Sequence, residues 1–124
     1  MANDPTPPAE TGSPPVDIRV VGLGGAGVTL AERLAALGFA GAGFWAVDSD
    51  AQALSRCALA RAMTLGMRDR RGLGCGSDPA LGRQCAEAQA GDMAQLVEGA
   101  DLVLVLAGLG GGLGTGAAPV MARQ

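Results

Sequence analysis

Apolar and polar positions along the chain fall into short blocks whose period changes several times. Residues 18–21, Ile-Arg-Val-Val, form a β-rich run that stops at Gly22. Past the glycines at 22–27, apolar residues at 27/28, 30/31, 34 and 37/38 recur at helical spacing, and Gly38 is a natural stop. Residues 43–47, Gly-Phe-Trp-Ala-Val, predict a second strand ending at Asp48, with a short helix over 51–56 and a weak third strand over 62–65. Residues 66–78 are rich in Gly and Arg and read as a loop. Pro79 suits the first turn of a helix, with Ser77 or Asp78 as its cap. Leu81, Cys85, Ala88, Met93, Leu96 and Val97 give that helix one apolar face, which Gly91 interrupts. The continuous apolar run at 102–107 predicts a central strand buried on both faces. A second glycine stretch covers 108–116, and a last helix starts at Ala117.

Strands that alternate with helices define an α/β chain with a parallel sheet and right-handed crossovers. The closing helix is only about eight residues long and covers little of the sheet beside it. The expected architecture is therefore an incomplete Rossmann-like parallel sheet with flanking helices, the first part of a larger domain. Residues 1–16 hold five of the seven prolines and almost no apolar surface, so they are expected to form a disordered leader. Residues 17–124 carry the partial domain.

Composition narrows the chemistry by exclusion. The 9 basic residues are all Arg, against 12 acidic residues, and there is neither Lys nor His. A phosphate loop ending in Gly-Lys-Ser/Thr needs the missing Lys, and Ser-His-Asp or Cys-His catalysis needs the missing His. Cys57, Cys75 and Cys85 are too few for a four-ligand zinc site. The net charge of −3 argues against a nucleic-acid partner, whose phosphates would be repelled. No apolar run approaches the ~20 residues that membrane insertion through a helix requires. Three cysteines cannot all pair and nothing resembles a secretory signal, so a reducing cytoplasm is the expected location. With aromatics at 2 %, the core must be filled by Ala, Leu, Val and Met.

The 21 glycines cluster where strands hand over to helices. In the first cluster, Gly22, Gly24 and Gly27 fit the dinucleotide fingerprint, and Asp48 stands 21 residues beyond Gly27, where a ribose-binding acid is expected. A helix that begins there offers unpaired N–H groups to an anion. The second cluster has six glycines in the nine positions 108–116. Two such boxes at strand ends would flank one crevice and hold a phosphate chain between them. An NAD(P)-type dinucleotide-binding domain needs only the first box and remains the alternative at this level.

Three stretches have a more particular pattern. Gly110-Gly111-Gly112-Leu113-Gly114-Thr115-Gly116, followed by Ala117-Ala118-Pro119-Val120, parallels the signature G-G-G-T-G-[ST]-G. Residues 48–54, DSDAQAL, parallel N-T-D-A-Q-A-L, and residues 71–79, RGLGCGSDP, parallel R-G-L-G-A-G-x-N-P. On these motifs, which run in order from about residue 17 to 123, the chain resembles the tubulin/FtsZ superfamily of GTPases, with bacterial FtsZ the nearest branch. The resemblance implies a cytoplasmic, bacterial GTP-binding chain of cell division that carries the phosphate-binding loops, with GTP or GDP, and Mg2+, as its cofactors. It places Gly24, Gly25, Ala26, Gly27, Val28 and Thr29 on the first phosphate loop, and Asp50 near the nucleotide and its magnesium. It places Gly76 and Ser77 on the loop that senses the γ-phosphate, and Gly111, Gly112, Leu113, Gly114 and Thr115 on the signature loop. The partners it implies are guanine nucleotide and FtsZ-type subunits or a second copy; a non-catalytic partner that caps FtsZ filaments is a further alternative.

The chain departs from the family pattern at four places. Val28 replaces a glycine, Thr29 an Asn, Leu113 the signature Thr and Asp78 an Asn; Leu113 removes a hydroxyl from the phosphate cradle, and the Asp78 carboxylate would repel a γ-phosphate. Cys75 stands where the family has Ala, either as a small space-filler or as a reactive thiol whose thiolate is stabilised. In the family, the residues that read guanine and the catalytic carboxylates lie further along, so the chain alone is expected to be inactive in hydrolysis. Arg68, Arg70 and Arg71 are clustered beside the third loop, either to neutralise phosphate or as a solvated segment.

Overall fold

The computed structural model of the chain describes residues 15–66 and 72–124. Most of the proline-rich segment, with Arg68, Arg70 and Arg71, lies outside them. The elements run β1 (Ile18–Leu23), α1 (Gly24–Ala36), β2 (Ala42–Asp48), α2 (Ala51–Ser55), β3 (Ala62–Thr64), α3 (Pro79–Ala88), α4 (Ala90–Val97), β4 (Leu102–Ala107) and α5 (Leu113–Ala122). The four strands form one parallel sheet in the order β3-β2-β1-β4. Ile18 is level with both Ala42 and Leu102, and Leu23 with both Val47 and Ala107, so the carboxyl ends of β1, β2 and β4 finish together.

The two faces of the sheet are covered unequally. On one, Val21, Leu23 and Val47 pack with Leu65, just after β3, and with Cys85, Ala86, Met93, Ala117, Val120 and Met121 of α3, α4 and α5. Burying a Leu or Val side chain fully stabilises by roughly 1.5–3 kcal/mol, and this cluster supplies most of it. On the other face α1 crosses the sheet, and only Val28, Ala46 and Leu54 form a buried cluster there. The helix lies on the strands through glycine: a Cβ on Gly27 would overlap the Leu106 carbonyl oxygen, so the α1 and β4 backbones touch directly.

Several expectations need correction in detail. Within the described sheet β4 is an edge strand, not a central one, and it is not buried on both faces. Val103, Val105 and Ala107 pack on the main core, but Leu102 and Leu104 remain 47 % and 46 % exposed, because α1 covers β4 only towards Leu106. Helices α1 and α5 start inside the glycine boxes, at Gly24 and Leu113, rather than after them. The break between α3 and α4 falls at Gln89, and Gly91 lies within α4. The Gln89 side chain is committed elsewhere: it accepts from the Gly66 N–H at 2.7 Å and donates to the Thr64 carbonyl at 3.2 Å. Ala88 is exposed, and Gly82 and Ala86 take its place on the buried face of α3.

Candidate functional site

The chain leaves β1 towards β2 and β3 on one side, then crosses to β4 on the other. Connections that diverge in this way from neighbouring strands leave a crevice beyond their carboxyl ends. A cavity of about 440 Å3 occupies that place. Gly25 and Ala26 form its wall at the start of α1, and Asp48, Ser49 and Asp50 at the end of β2. Gly74, Cys75 and Gly76 come from the segment before α3, and Gly108, Gly111, Gly112, Leu113 and Gly114 from the turn into α5.

Glycine lets these backbones meet. Gly24 has φ +71°, a region that L side chains avoid, and a Cβ there would meet the Gly114 nitrogen at 3.2 Å. At Gly112 a Cβ would overlap the Gly76 carbonyl oxygen, so the turn into α5 rests on the segment before α3. The Thr115 hydroxyl accepts from the Gly110 N–H at 2.9 Å and holds that turn. Ser49 Oγ accepts from the Cys75 N–H at 3.0 Å and ties the 72–78 segment to the end of β2.

The helix caps differ in a way that bears on chemistry. Asp50 accepts from the N–H groups of Gln52 and Ala53 at 2.9 and 3.1 Å, capping α2. Asp78 does the same for α3 with Ala80 and Leu81, at 3.0 and 3.3 Å. The two helices whose first turns line the cavity, α1 and α5, have no side-chain cap. Their first N–H groups and the positive ends of their dipoles are left to face a ligand. Opposite them sits Asp48, only 7 % exposed. Its Oδ1 accepts from the N–H groups of Ser49 and Asp50 at 2.7 and 3.2 Å. Burial nevertheless pushes its carboxyl above the usual carboxylate range; those two bonds oppose the shift and the neighbouring Asp50 charge adds to it.

Of the residues singled out in the sequence, Gly25, Ala26, Asp48, Asp50, Cys75, Gly76, Gly108, Gly111, Gly112, Leu113 and Gly114 come together around the cavity. The others lie outside its lining. Gly24 and Gly27 support the wall from behind, and Val28 packs in the smaller core with Ala46 and Leu54. The Thr29 hydroxyl donates to the Gly25 carbonyl at 2.8 Å, one turn back. Ser77 and Asp78 are exposed. Leu113, which stands in place of a hydroxyl, sends its side chain into the main core at 4 % exposure and lends the cavity its backbone. Ser49 and Gly74 also line the wall; neither stands out in the sequence, where only the Asp before Ser49 and the glycine-rich run around Gly74 hint at them. Among the described residues no group of three or more His, Cys, Asp or Glu is placed to hold a metal ion. Nor is any described helix long and apolar enough to cross a membrane.

A parallel sheet with flanking helices and a glycine-walled crevice at the carboxyl ends of its strands places the chain among the Rossmann-like α/β proteins. Its relatives narrow this further. Residues 17–124 match the Tubulin/FtsZ family, GTPase domain, and the chain belongs to that family. It is 45 % identical over 107 residues to the Cell division protein FtsZ 1 of Pyrococcus horikoshii, and equally to that of Pyrococcus abyssi. Each match covers 86 % of this chain and 29 % of the relative. An FtsZ dimer structure from M. jannaschii, described as empty, superposes with a TM-score of 0.81 at 40 % identity, over 86 % of this chain and 31 % of that one. The chain thus spans under a third of the length of these relatives.

Proposed function

We propose that the cavity binds the phosphates of a guanine nucleotide, GTP or GDP, and that the chain serves cell division as its relatives' names state. The observation that carries this reading is the pair of uncapped helix N-termini, α1 and α5, set across one glycine-walled cavity. Backbone N–H groups of Gly25, Ala26, Gly111, Gly112 and Gly114 would cradle the phosphate chain, and of these five residues only Ala26 carries a Cβ. A nucleotide phosphate there meets the carboxylates of Asp48 and Asp50, two hard oxygen donors on the same wall. That donor set fits Mg2+, which binds through one or two carboxylates together with substrate phosphates and retained waters. When bound, the ion neutralises charge between the phosphates and these carboxylates. Asp48 and Asp50 would hold it, and the α1 and α5 termini would orient the phosphates.

The second glycine box favours this reading over a dinucleotide site, which needs only the first. The chain supplies phosphate contacts more fully than base contacts, so binding is weak and discriminates little between GTP and ATP, and the chain alone gives no turnover. A ligand that binds only the folded state at 100 times its dissociation constant stabilises by about 2.7 kcal/mol. Thermal melting with GTP, GDP, ATP and guanosine, each with Mg2+, tests the reading. The three phosphorylated nucleotides should raise Tm and guanosine should not. A rise with guanosine equal to that with GTP would refute phosphate recognition.

A further inference from the structure

Two of the three thiols meet. Cys75 Sγ lies 3.7 Å from Cys85 Sγ, and both residues are buried. Cys75 belongs to the cavity wall, between Gly74 and Gly76, and packs in the main core with Cys85, which lies in the middle of α3. Cys57 is elsewhere, against the smaller cluster around Val28. We infer that Cys75 and Cys85 form a peroxide-sensitive dithiol, which closes to an intrachain disulfide and draws the cavity wall onto α3. This inference does not depend on which ligand the cavity takes.

The two sulfurs must close from contact to a bond of about 2.05 Å. Helix α3 is pinned by its buried face, so the movement falls to the Cys75 side. On that side Gly76 sits at φ +56° with open space where a Cβ would be, and the packing of its carbonyl against Gly112 is the contact the movement must shift. The bond at risk is the one from the Cys75 N–H to Ser49 Oγ, which now holds the wall to β2. The oxidant is a hydroperoxide that enters through the cavity. It reaches Cys75, which lines the cavity, before Cys85, which is fully buried. The Cys75 sulfur attacks a peroxide oxygen, the O–O bond breaks, and the products are a sulfenic acid and water. The Cys85 sulfur then attacks the Cys75 sulfur, the S–O bond breaks, and a second water leaves with the remaining thiol proton. Two thiols and one hydrogen peroxide thus give one disulfide and two waters. In a reducing compartment such a bond is transient.

The test uses the intact chain, treated with hydrogen peroxide, alkylated and digested with trypsin. Arg83 lies between the two cysteines, so cleavage after it separates them. The expected product is peptide 72–83 joined to peptide 84–123, two hydrogens lighter than the separate peptides and released by dithiothreitol. Amide exchange over residues 72–78 should change on oxidation. In the Cys85→Ser variant, Cys75 should pass to sulfinic acid or join a second chain instead. A wild-type product in which Cys57 is the partner, or in which Cys75 is a sulfinic acid without a link, overturns the pairing. A linked peptide with unchanged exchange over 72–78 overturns the movement of the wall.

Discussion

Replacing Gly27 by Ala adds a single methyl group at a point where α1 and β4 touch through their backbones. The new Cβ would overlap the Leu106 carbonyl oxygen, which belongs to the sheet and cannot rotate away as a side chain could. Helix α1 must therefore lift off β4. Overpacking of this kind costs ~1–3 kcal/mol, and the helix-propensity gain of Ala over Gly returns up to ~1 kcal/mol. Because the clash is with backbone, the upper half of that range applies and the net loss is about 1–2 kcal/mol; a domain of about this size loses roughly 4–8 °C of Tm per kcal/mol, so Tm falls by roughly 4–16 °C. Gly25 provides the control two residues earlier. A Cβ there meets nothing within 4 Å, so Gly25→Ala should leave Tm unchanged or raise it. Thermal melts followed by circular dichroism separate the two variants. Equal losses in both, or no loss in Gly27→Ala, would refute the direct seating of α1 on the sheet.

The other predictions test single interactions. Asp78→Asn should change stability by no more than a few tenths of a kcal/mol, whereas Asp78→Ala should lower it by ~0.5–2 kcal/mol, because Asn caps a helix as well as Asp and Ala does not; urea denaturation measures both. Asp48 has a native pKa above its unfolded value of 3.8, so the folded state binds more protons between those two values and stability falls as pH rises through that window. Asp48→Asn should remove this part of the pH dependence, and an unchanged slope in denaturation midpoints across pH would contradict it. The exposed Leu102 and Leu104 on β4, the edge strand of the described sheet, should make the isolated chain associate, and Leu104→Lys should shift size-exclusion profiles towards monomer.

The strands were legible in the sequence because each is a short apolar run closed by glycine or a turn residue: β1, β2 and β4 fall within a residue or two of their expected places. The helix starts were less legible. Glycine weakens a helix in isolation, yet Gly24, Gly25 and Gly27 all lie within α1, and it is Gly27 that lets the helix reach the Gly22 and Leu106 backbones. In the sequence Gly91 marks the break after α3, but the residue that makes it, Gln89, acts through hydrogen bonds to Thr64 and Gly66 that lie more than twenty positions away. The apolar run of β4 could not reveal its exposed face, since coverage depends on where α1 ends over the sheet and not on β4 itself. At the site, the glycine boxes marked the walls. The division of labour between Leu113, which fills the core, and its own backbone, which lines the cavity, became visible only in three dimensions.

The central claim is that the cavity holds phosphate, and calorimetric titration of GTP with Mg2+ into the chain and into Gly111→Val tests it most directly. Gly111 lines the cavity, and a Cβ on it meets no atom within 4 Å, so the valine leaves the fold intact while projecting into the space a phosphate needs. The account predicts weak binding to the chain, similar for GTP and ATP and stronger than for guanosine, and no binding to a Gly111→Val variant that melts normally. Tight, guanine-selective binding, or equal heats for the chain and the variant, would contradict it.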